Sequence, residues 1–326
     1  MASIPVIDVS EYMKPSADHI QAEKDAKRIA SEIDQAFMTV GFFYLAGHTV
    51  CLELMAQFYQ ACMDFFLITS HNEKMAAAQP ETFDGKYAAQ GYTPIGNESV
   101  AQSKNIKTAH DILESFCFRR GAQEPKQDVD KLPKEMVRLA QEYWKQVRAL
   151  DTKLMELCAI ALGLNANYFA GYNTKDNAII KCAYYPKPKE DECANPRYGA
   201  HTDYMFLTLL FADPYYKSIC GGLEVWDTQN SKWISCPQIK NTLIVNMGDL
   251  LQRLTNDRWI ANLHQVAPAG LNESVTERLS IVYFNSPDDD SIVHSISTKG
   301  EPIKYPPIKA SDFFQQKLAS GTTLRK

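Results

Sequence analysis

The stretch Tyr198-Gly199-Ala200-His201-Thr202-Asp203 sets an imidazole and a carboxylate two residues apart. Side chains on an extended strand alternate with period 2, so His201 and Asp203 are expected on one face. Sixty-one residues beyond the aspartate, Asn262-Leu263-His264 offers a second imidazole. Two histidines and one carboxylate grip one face of an octahedral divalent metal and leave three positions open, as in non-haem Fe(II) sites. A lone His-x-Asp is as readily a surface histidine beside an aspartate, so the weight rests on the residues downstream.

Fourteen residues after His264 comes Arg278-Leu279-Ser280, opening a run that reaches Phe284. As a strand, this run puts Arg278 and Ser280 on one face and Leu279, Ile281 and Tyr283 on the other. An inward arginine is costly unless it meets an anion. Its planar fork suits a carboxylate, to which the Ser280 hydroxyl adds a hydrogen bond. The alternative is a structural salt bridge to one of the chain's many carboxylates.

Outward from these motifs, short strands are expected at 178–185, 199–212, 222–227, 233–235, 241–246, 263–267 and 278–285. That density of antiparallel strands fits a double-sheet jelly roll or cupin-like barrel. The N-terminal half reads differently. A strand at 4–8 precedes a helix over 20–40, whose apolar residues recur at Ala26, Ile29, Ala30, Ile33 and Phe37 and which Gly41 ends. A strand at 42–45 and a helix over 52–66 come next. Residues 71–110 are polar and weakly periodic, with Gly91-Tyr92-Thr93-Pro94 expected as a turn. A strand spans 111–118. After a polar connection at 119–134, a long helix over 134–162 carries a stripe from Met136 to Leu157, the pattern of a scaffold packed on a sheet.

The whole chain bounds the function. It has 326 residues, 45% hydrophobic and 22% charged, with a net charge of −5. No basic stripe tracks a phosphate backbone, so no nucleic-acid partner is expected. No apolar run approaches the roughly eighteen residues of a membrane span, so no membrane association is expected. The start lacks a basic region followed by an apolar run, and Leu324-Arg325-Lys326 is not a peroxisomal address. Eight cysteines lie scattered without a CxxC pair, which reads as reduced thiols in the cytoplasm. The oligomeric state stays open.

Taken together, the chain resembles the Fe(II)/2-oxoglutarate-dependent dioxygenase superfamily, in the branch similar to isopenicillin N synthase. The resemblance covers nearly the whole chain. In the N-terminal half it rests on Ile4-Pro5-Val6-Ile7-Asp8, Gly41-Phe42-Phe43-Tyr44 with His48, and Asp111 with Glu114-Ser115-Phe116. In the C-terminal half it rests on Tyr184-Tyr185-Pro186, His201-Thr202-Asp203-Tyr204, Gly221-Gly222-Leu223-Glu224-Val225, Val245-Asn246-Met247-Gly248-Asp249 and Arg278-Leu279-Ser280.

The resemblance implies a mixed α+β fold, a distorted double-stranded β-helix of jelly-roll or cupin-like type flanked by helices. It divides the chain into an N-terminal region at 1–120, a connecting segment and scaffold helix at 121–174, a jelly-roll core at 175–290 and a C-terminal segment at 291–326. It implies that His201, Asp203 and His264 bind Fe(II), and that Arg278 and Ser280 hold the distal carboxylate of the co-substrate 2-oxoglutarate. Tyr185, or else Tyr184, would bond the co-substrate near its other end. The reaction would consume O2, release succinate and CO2, and oxidise a small organic metabolite, most simply by hydroxylation and otherwise by desaturation, cyclisation or ring expansion. Secondary metabolite biosynthesis and nucleobase hydroxylation are both compatible. Two alternatives stay open. One is an oxidase like isopenicillin N synthase, in which Arg278 and Ser280 hold the substrate's own carboxylate. The other is a cupin-like metal-binding protein without catalysis.

Departures from the family pattern bear on the substrate. Ala183 stands where the family often has Asn, and Met205 where a small residue is common. Met205, Phe206 and the long loop containing Tyr215 and Tyr216 are therefore the candidate substrate contacts. His19, His48, His71, His110 and His294 show no ligand spacing.

Overall fold

Apolar periodicity sorts the chain into helices outside and strands within. The computed structural model describes residues 4–78, 91–97, 111–119, 132–189, 192–212, 222–268, 277–298 and 300–321, together with the strand backbone at 82–83 and 86–87. Its first part runs β1 (Val6–Asp8), α1 (Ser10–Met13), α2 (His19–Thr39), β2 (Phe42–Ala46), α3 (Leu52–Ile68), α4 (His71–Ala76), β3 (Thr82–Phe83), β4 (Lys86–Tyr87), β5 (Gly91–Thr93), β6 (Glu114–Arg119) and α5 (Lys134–Ala161). A single 3₁₀ turn, Tyr168–Tyr172, leads into β7 (Ile179–Tyr185), β8 (Tyr198–His201), β9 (Leu207–Ala212), β10 (Leu223–Asp227), β11 (Lys232–Ser235) and β12 (Leu243–Met247). Then come α6 (Asp249–Leu254), β13 (His264–Val266), β14 (Arg278–Phe284), β15 (Ile292–Val293), β16 (Ile308–Lys309) and α7 (Ala310–Gly321).

The strands form a large sheet of order β1-β2-β12-β9-β14-β7-β6-β5 and a small one of order β11-β10-β13-β8. Apart from the parallel pair β1–β2, every pairing in these sheets is antiparallel. Phe42 and Tyr44 of β2, Ile244 of β12 and Leu223 and Val225 of β10 pack in one apolar cluster, so the two sheets face each other. This is the expected double-stranded β-helix, with strands from the N-terminal region extending the large sheet at both edges.

The outer face of the large sheet carries the helices. On α5, Met136, Leu139, Tyr143, Val147, Leu150, Leu154 and Leu157 are all buried, as their helical spacing requires. They share one core with Phe58 of α3, Phe116 and Phe118 of β6, and Leu279, Ile281 and Tyr283 of β14. Strand β14, between β9 and β7, thus turns its odd-numbered side chains to the helices and its even-numbered ones to the chamber between the sheets.

Three local expectations need correction. The run expected as one strand over 199–212 is split between the sheets: β8 ends at His201, and β9 begins at Leu207. Asp203 therefore lies in the crossover and does not share a strand face with His201. The crossover is held by the start of α6, where Asp249 N–H bonds Asp203 O at 2.8 Å and Leu250 N–H bonds Tyr204 O at 3.0 Å. These are helix-terminal donors with no partner inside the helix. Gly248 permits the approach, since a Cβ there would lie 2.5 Å from Met205 O. Second, Gly91–Thr93 is a strand paired with Ser115–Cys117 and not a turn. Third, the C-terminal segment contains the helix α7, which its weak periodicity did not reveal.

Candidate active site

His201 and His264 are cross-strand partners on β8 and β13, with ring centroids 4.2 Å apart. Each Nδ1 is turned to a backbone carbonyl two residues earlier, His201 to Gly199 O at 2.8 Å and His264 to Asn262 O at 3.1 Å. With Nδ1 protonated, both Nε2 lone pairs face the gap between the rings and Asp203. Asp203 Oδ1 lies 3.8 Å from His201 Nε2 and 3.7 Å from His264 Nε2. Its other oxygen, Oδ2, accepts from Thr208 Oγ1 and Asn246 Nδ2, each at 2.6 Å. One oxygen is thereby fixed and the other left toward the imidazoles.

The three donor atoms lie within 4.8 Å of one another, and all three residues are buried. Burial, with His264 alongside, pushes the His201 imidazole down to about 3, so it is neutral at physiological pH. Burial opposes ionisation of Asp203, but His264, His201 and the hydrogen bonds from Thr208 and Asn246 outweigh it and hold the carboxyl below its usual range. Two imidazoles with their Nε2 atoms turned inward and one carboxylate fit a divalent metal.

The second half of the site lies on the facing sheet. Arg278 and Ser280 are 5% and 1% exposed, yet among the described residues Arg278 Nη1 and Ser280 Oγ have no hydrogen-bond partner. Orphaned buried donors are rare, and a guanidinium beside a hydroxyl fits a carboxylate. Ser280 pairs across the sheet with Ala183 on one side and Ala212 on the other, so only methyl groups flank it. Tyr185, opposite Arg278, lies with its ring 5.1 Å from the Arg278 guanidinium carbon and 5.6 Å from that of Arg197. Burial and the neighbouring Arg278 charge push Arg197 down to about 10. Two guanidinium groups thus flank the Tyr185 ring at this corner. Tyr184 faces the helices, stacked on Phe66 at 5.3 Å, so of the two tyrosines Tyr185 borders this corner.

Phe206 packs edge-on against Phe169 and Tyr172 in the main core, and Met205 belongs to the same core. Tyr215, Tyr216 and His110 lie outside the described residues. His48 is largely buried, and burial lowers its pKa.

Sequence reading missed Thr208, Asn246, Lys181 and Tyr198. The first two carried a legible signal, since each is a lone polar residue in an apolar strand, Leu207-Thr208-Leu209 and Val245-Asn246-Met247. Lys181, four residues before Tyr185, shares its strand face. Its Nζ lies 3.5 Å from Tyr198 Oη and 5.3 Å from the Tyr198 ring centroid. That ring is in turn edge-on to His201 at 4.7 Å.

Comparison with known proteins agrees with this arrangement. Residues 4–138 match the N-terminal region of the non-haem dioxygenases described from morphine synthesis, and residues 176–287 match the 2OG-Fe(II) oxygenase superfamily. The 2-oxoglutarate-Fe(II) type oxidoreductase hxnY of Emericella nidulans is 28% identical over 300 residues, covering 87% of this chain and 82% of its own. The 2-oxoglutarate-dependent dioxygenase caaD of Aspergillus niger is 26% identical over 323 residues, covering 97% and 92%. The crystal structure of a full-length Neurospora crassa protein in complex with alpha-KG and thymine superposes with a TM-score of 0.80 at 28% identity, covering 97% of this chain and 96% of that one. The chain belongs to the 2OG-Fe(II) oxygenase superfamily and is an enzyme that uses Fe(II) and 2-oxoglutarate to oxidise a small organic metabolite.

Proposed function

We propose that His201, Asp203 and His264 hold the Fe(II), that Arg278 and Ser280 hold the distal carboxylate of 2-oxoglutarate, and that the reaction is hydroxylation. The observation carrying this reading is the convergence of three oriented ligand atoms in the same chamber as a buried guanidinium and hydroxyl with open donors. Substrate C–H, O2 and 2-oxoglutarate give C–OH, succinate and CO2. When bound, the iron supplies the redox chemistry of that exchange.

The chain's own residues supply position and charge. Arg278 neutralises the distal carboxylate, Ser280 adds a hydrogen bond, and the Ala183 and Ala212 methyls leave room between them. Tyr185 forms the wall under Arg278. Thr208 and Asn246 keep Asp203 ionised and turned toward the histidines. Burial excludes water from the reacting centre.

Lys181 points to the substrate class. Its ammonium beside Tyr198 and close to His201 suits a compact metabolite with a carbonyl or carboxylate oxygen and a flat unsaturated ring. Phe284, cross-strand from Thr208, would give that ring a second aromatic face. The Neurospora crassa protein, described in complexes with thymine and with 5-formyluracil, binds flat rings of this kind. Lys181→Met should then raise the substrate KM about tenfold while leaving the 2-oxoglutarate requirement near its original value. The segments 1–120, 121–174, 175–290 and 291–326 are proposed as flanking region, scaffold, catalytic core and C-terminal closure. A cytoplasmic location suits the described cysteines, which form no disulfide.

The decisive experiment has two parts. Anaerobic 2-oxoglutarate added to the Fe(II)-loaded protein should produce a visible charge-transfer band. A metabolite screen should then find substrate-stimulated succinate formation with a product heavier by one oxygen. A product lacking two hydrogens would replace hydroxylation by desaturation or ring closure. Turnover without succinate would favour the oxidase alternative, and absence of both band and turnover the cupin-like one.

A further inference from the structure

The segment that delivers His264 is held by the N-terminal region at Arg258, Trp259, Ile260 and Asn262. Asp34 of α2 accepts from Arg258 Nη2 at 2.6 Å and from Trp259 Nε1 at 2.8 Å. Ile260 N–H donates to Phe37 O at 3.0 Å, at the end of the same helix. Ala261 N–H donates to Gln252 Oε1 at 2.7 Å. Asn262 is 6% exposed, and its side-chain amide donates to Val40 O at 2.9 Å and to Trp226 O at 2.7 Å. The Asn262 carbonyl is the group facing His264 Nδ1. The turn after α2 is shaped for this contact: Gly41 has φ +72°, and a Cβ there would lie 2.4 Å from Ile260 O and 3.1 Å from Asn262 Cβ.

We infer that Asn262 is a positioning residue for the metal centre, its amide tying the carbonyl that orients His264 to the Val40–Gly41 turn and to β10. The inference rests on the assignment of His264 as a ligand and goes beyond it. A backbone carbonyl can fix an imidazole only as well as its own peptide is fixed. Two hydrogen bonds from one buried amide to two separate elements hold that peptide in place. His201 has a parallel arrangement, because Gly199, whose carbonyl faces its Nδ1, donates its N–H to Asp111 Oδ1 at 2.9 Å. Both imidazoles are thus oriented through peptides anchored to the N-terminal region. Metal geometry is then partly set by residues of the flanking region that never touch the ion.

The test is titration of the metal-free protein with Co(II), reading affinity by calorimetry and ligand geometry by the visible spectrum. Thermal unfolding of the metal-free chain serves as the fold control. Asn262→Ala should lower Co(II) affinity about 10- to 100-fold, the range for groups that orient metal-bound histidines, and should alter the spectrum. Asn262→Ser keeps one donor and should fall between Ala and the parent. If the Ala variant does not fold, the Ser variant decides. Parental affinity and spectrum in a folded variant would overturn the inference. His264→Ala separates the two levels. Its loss of Co(II) binding alongside unchanged Asn262 variants would sink the positioning role alone. Unchanged binding in His264→Ala would sink the ligand assignment itself.

Discussion

Asp203 and Asp151 are buried carboxyl groups on opposite sides of the large sheet, and they meet opposite fates. Asp203, in the chamber, receives two hydrogen bonds on one oxygen and faces two imidazoles with the other. Asp151, on α5 among the helices, receives one hydrogen bond among the described residues, from Asn285 Nδ2 at 2.6 Å, and its Oδ1 has none. Burial pushes Asp151 up to about 7, against the lowering effects of Asn285 and Arg148. The partners a buried carboxyl meets, here two imidazoles and two donors against one donor, and not its depth, decide whether it stays charged. On the chamber side, the open donors of Arg278 and Ser280 have the geometry and charge to suit a carboxylate. On the helix side, Tyr143 Oη, Tyr283 Oη and Asn285 Oδ1 are also unpartnered among the described residues, and there they mark a polar island inside a scaffold.

Substitutions on the chamber side should have the largest effects. His201→Ala is expected to take bound iron and succinate formation to background, measured by metal analysis and product assay. Retained turnover would break the ligand assignment. Arg278→Met should raise the half-saturating 2-oxoglutarate concentration on the order of 100-fold, since a hydrogen bond to a charged group is worth about 1.5–3 kcal/mol. An unchanged requirement would instead assign Arg278 to the substrate's own carboxylate. Ser280→Ala, which removes a single neutral donor to the same carboxylate, should raise that concentration about tenfold, the low end of that range. A larger effect from Ser280 than from Arg278 would reverse the proposed division of labour.

The contrast between the two sides also explains what could be read from the sequence. Helices α2 and α5 and the alternation in β14 were legible because one apolar face recurs at a fixed period. His264, Arg278 and Ser280 were legible because few chemistries use those residue types in that order. The crossover carrying Asp203 was not, since a strand leaving one sheet for another keeps its local alternation and changes only its partners. Strand β5 was hidden by Gly91 and Pro94, which read as a turn while the pairing that makes it a strand lies at β6. Lys181 was concealed by bulk expectation, as lysine in a strand normally reads as solvent-facing. Asp151 was hidden inside the apolar stripe of α5, where one carboxyl among leucines leaves the helical period intact.

The prediction farthest from the chemistry tests that last residue, and it bears on stability alone. Because the folded-state value of Asp151 is about 7 and an unfolded aspartate titrates near 3.9, the folded chain keeps a proton that the unfolded chain has lost. Stability should therefore fall as pH rises from about 4 to about 7, by an upper bound of roughly 4 kcal/mol, and stay low above that range. Asp151→Asn removes the titration. Its new amide keeps an acceptor for Asn285 Nδ2 and gains a donor for Asn285 Oδ1, which has no partner among the described residues. The variant should unfold a few degrees higher than the parent at pH 8 and at nearly the same temperature at pH 4. His201 sets the opposite trend in the metal-free chain, because its lowered value makes the unfolded state take up a proton first as pH falls below about 6.5. Comparing parent and variant at each pH cancels the histidine, so a stabilisation that does not grow with pH would show that Asp151 is held charged after all.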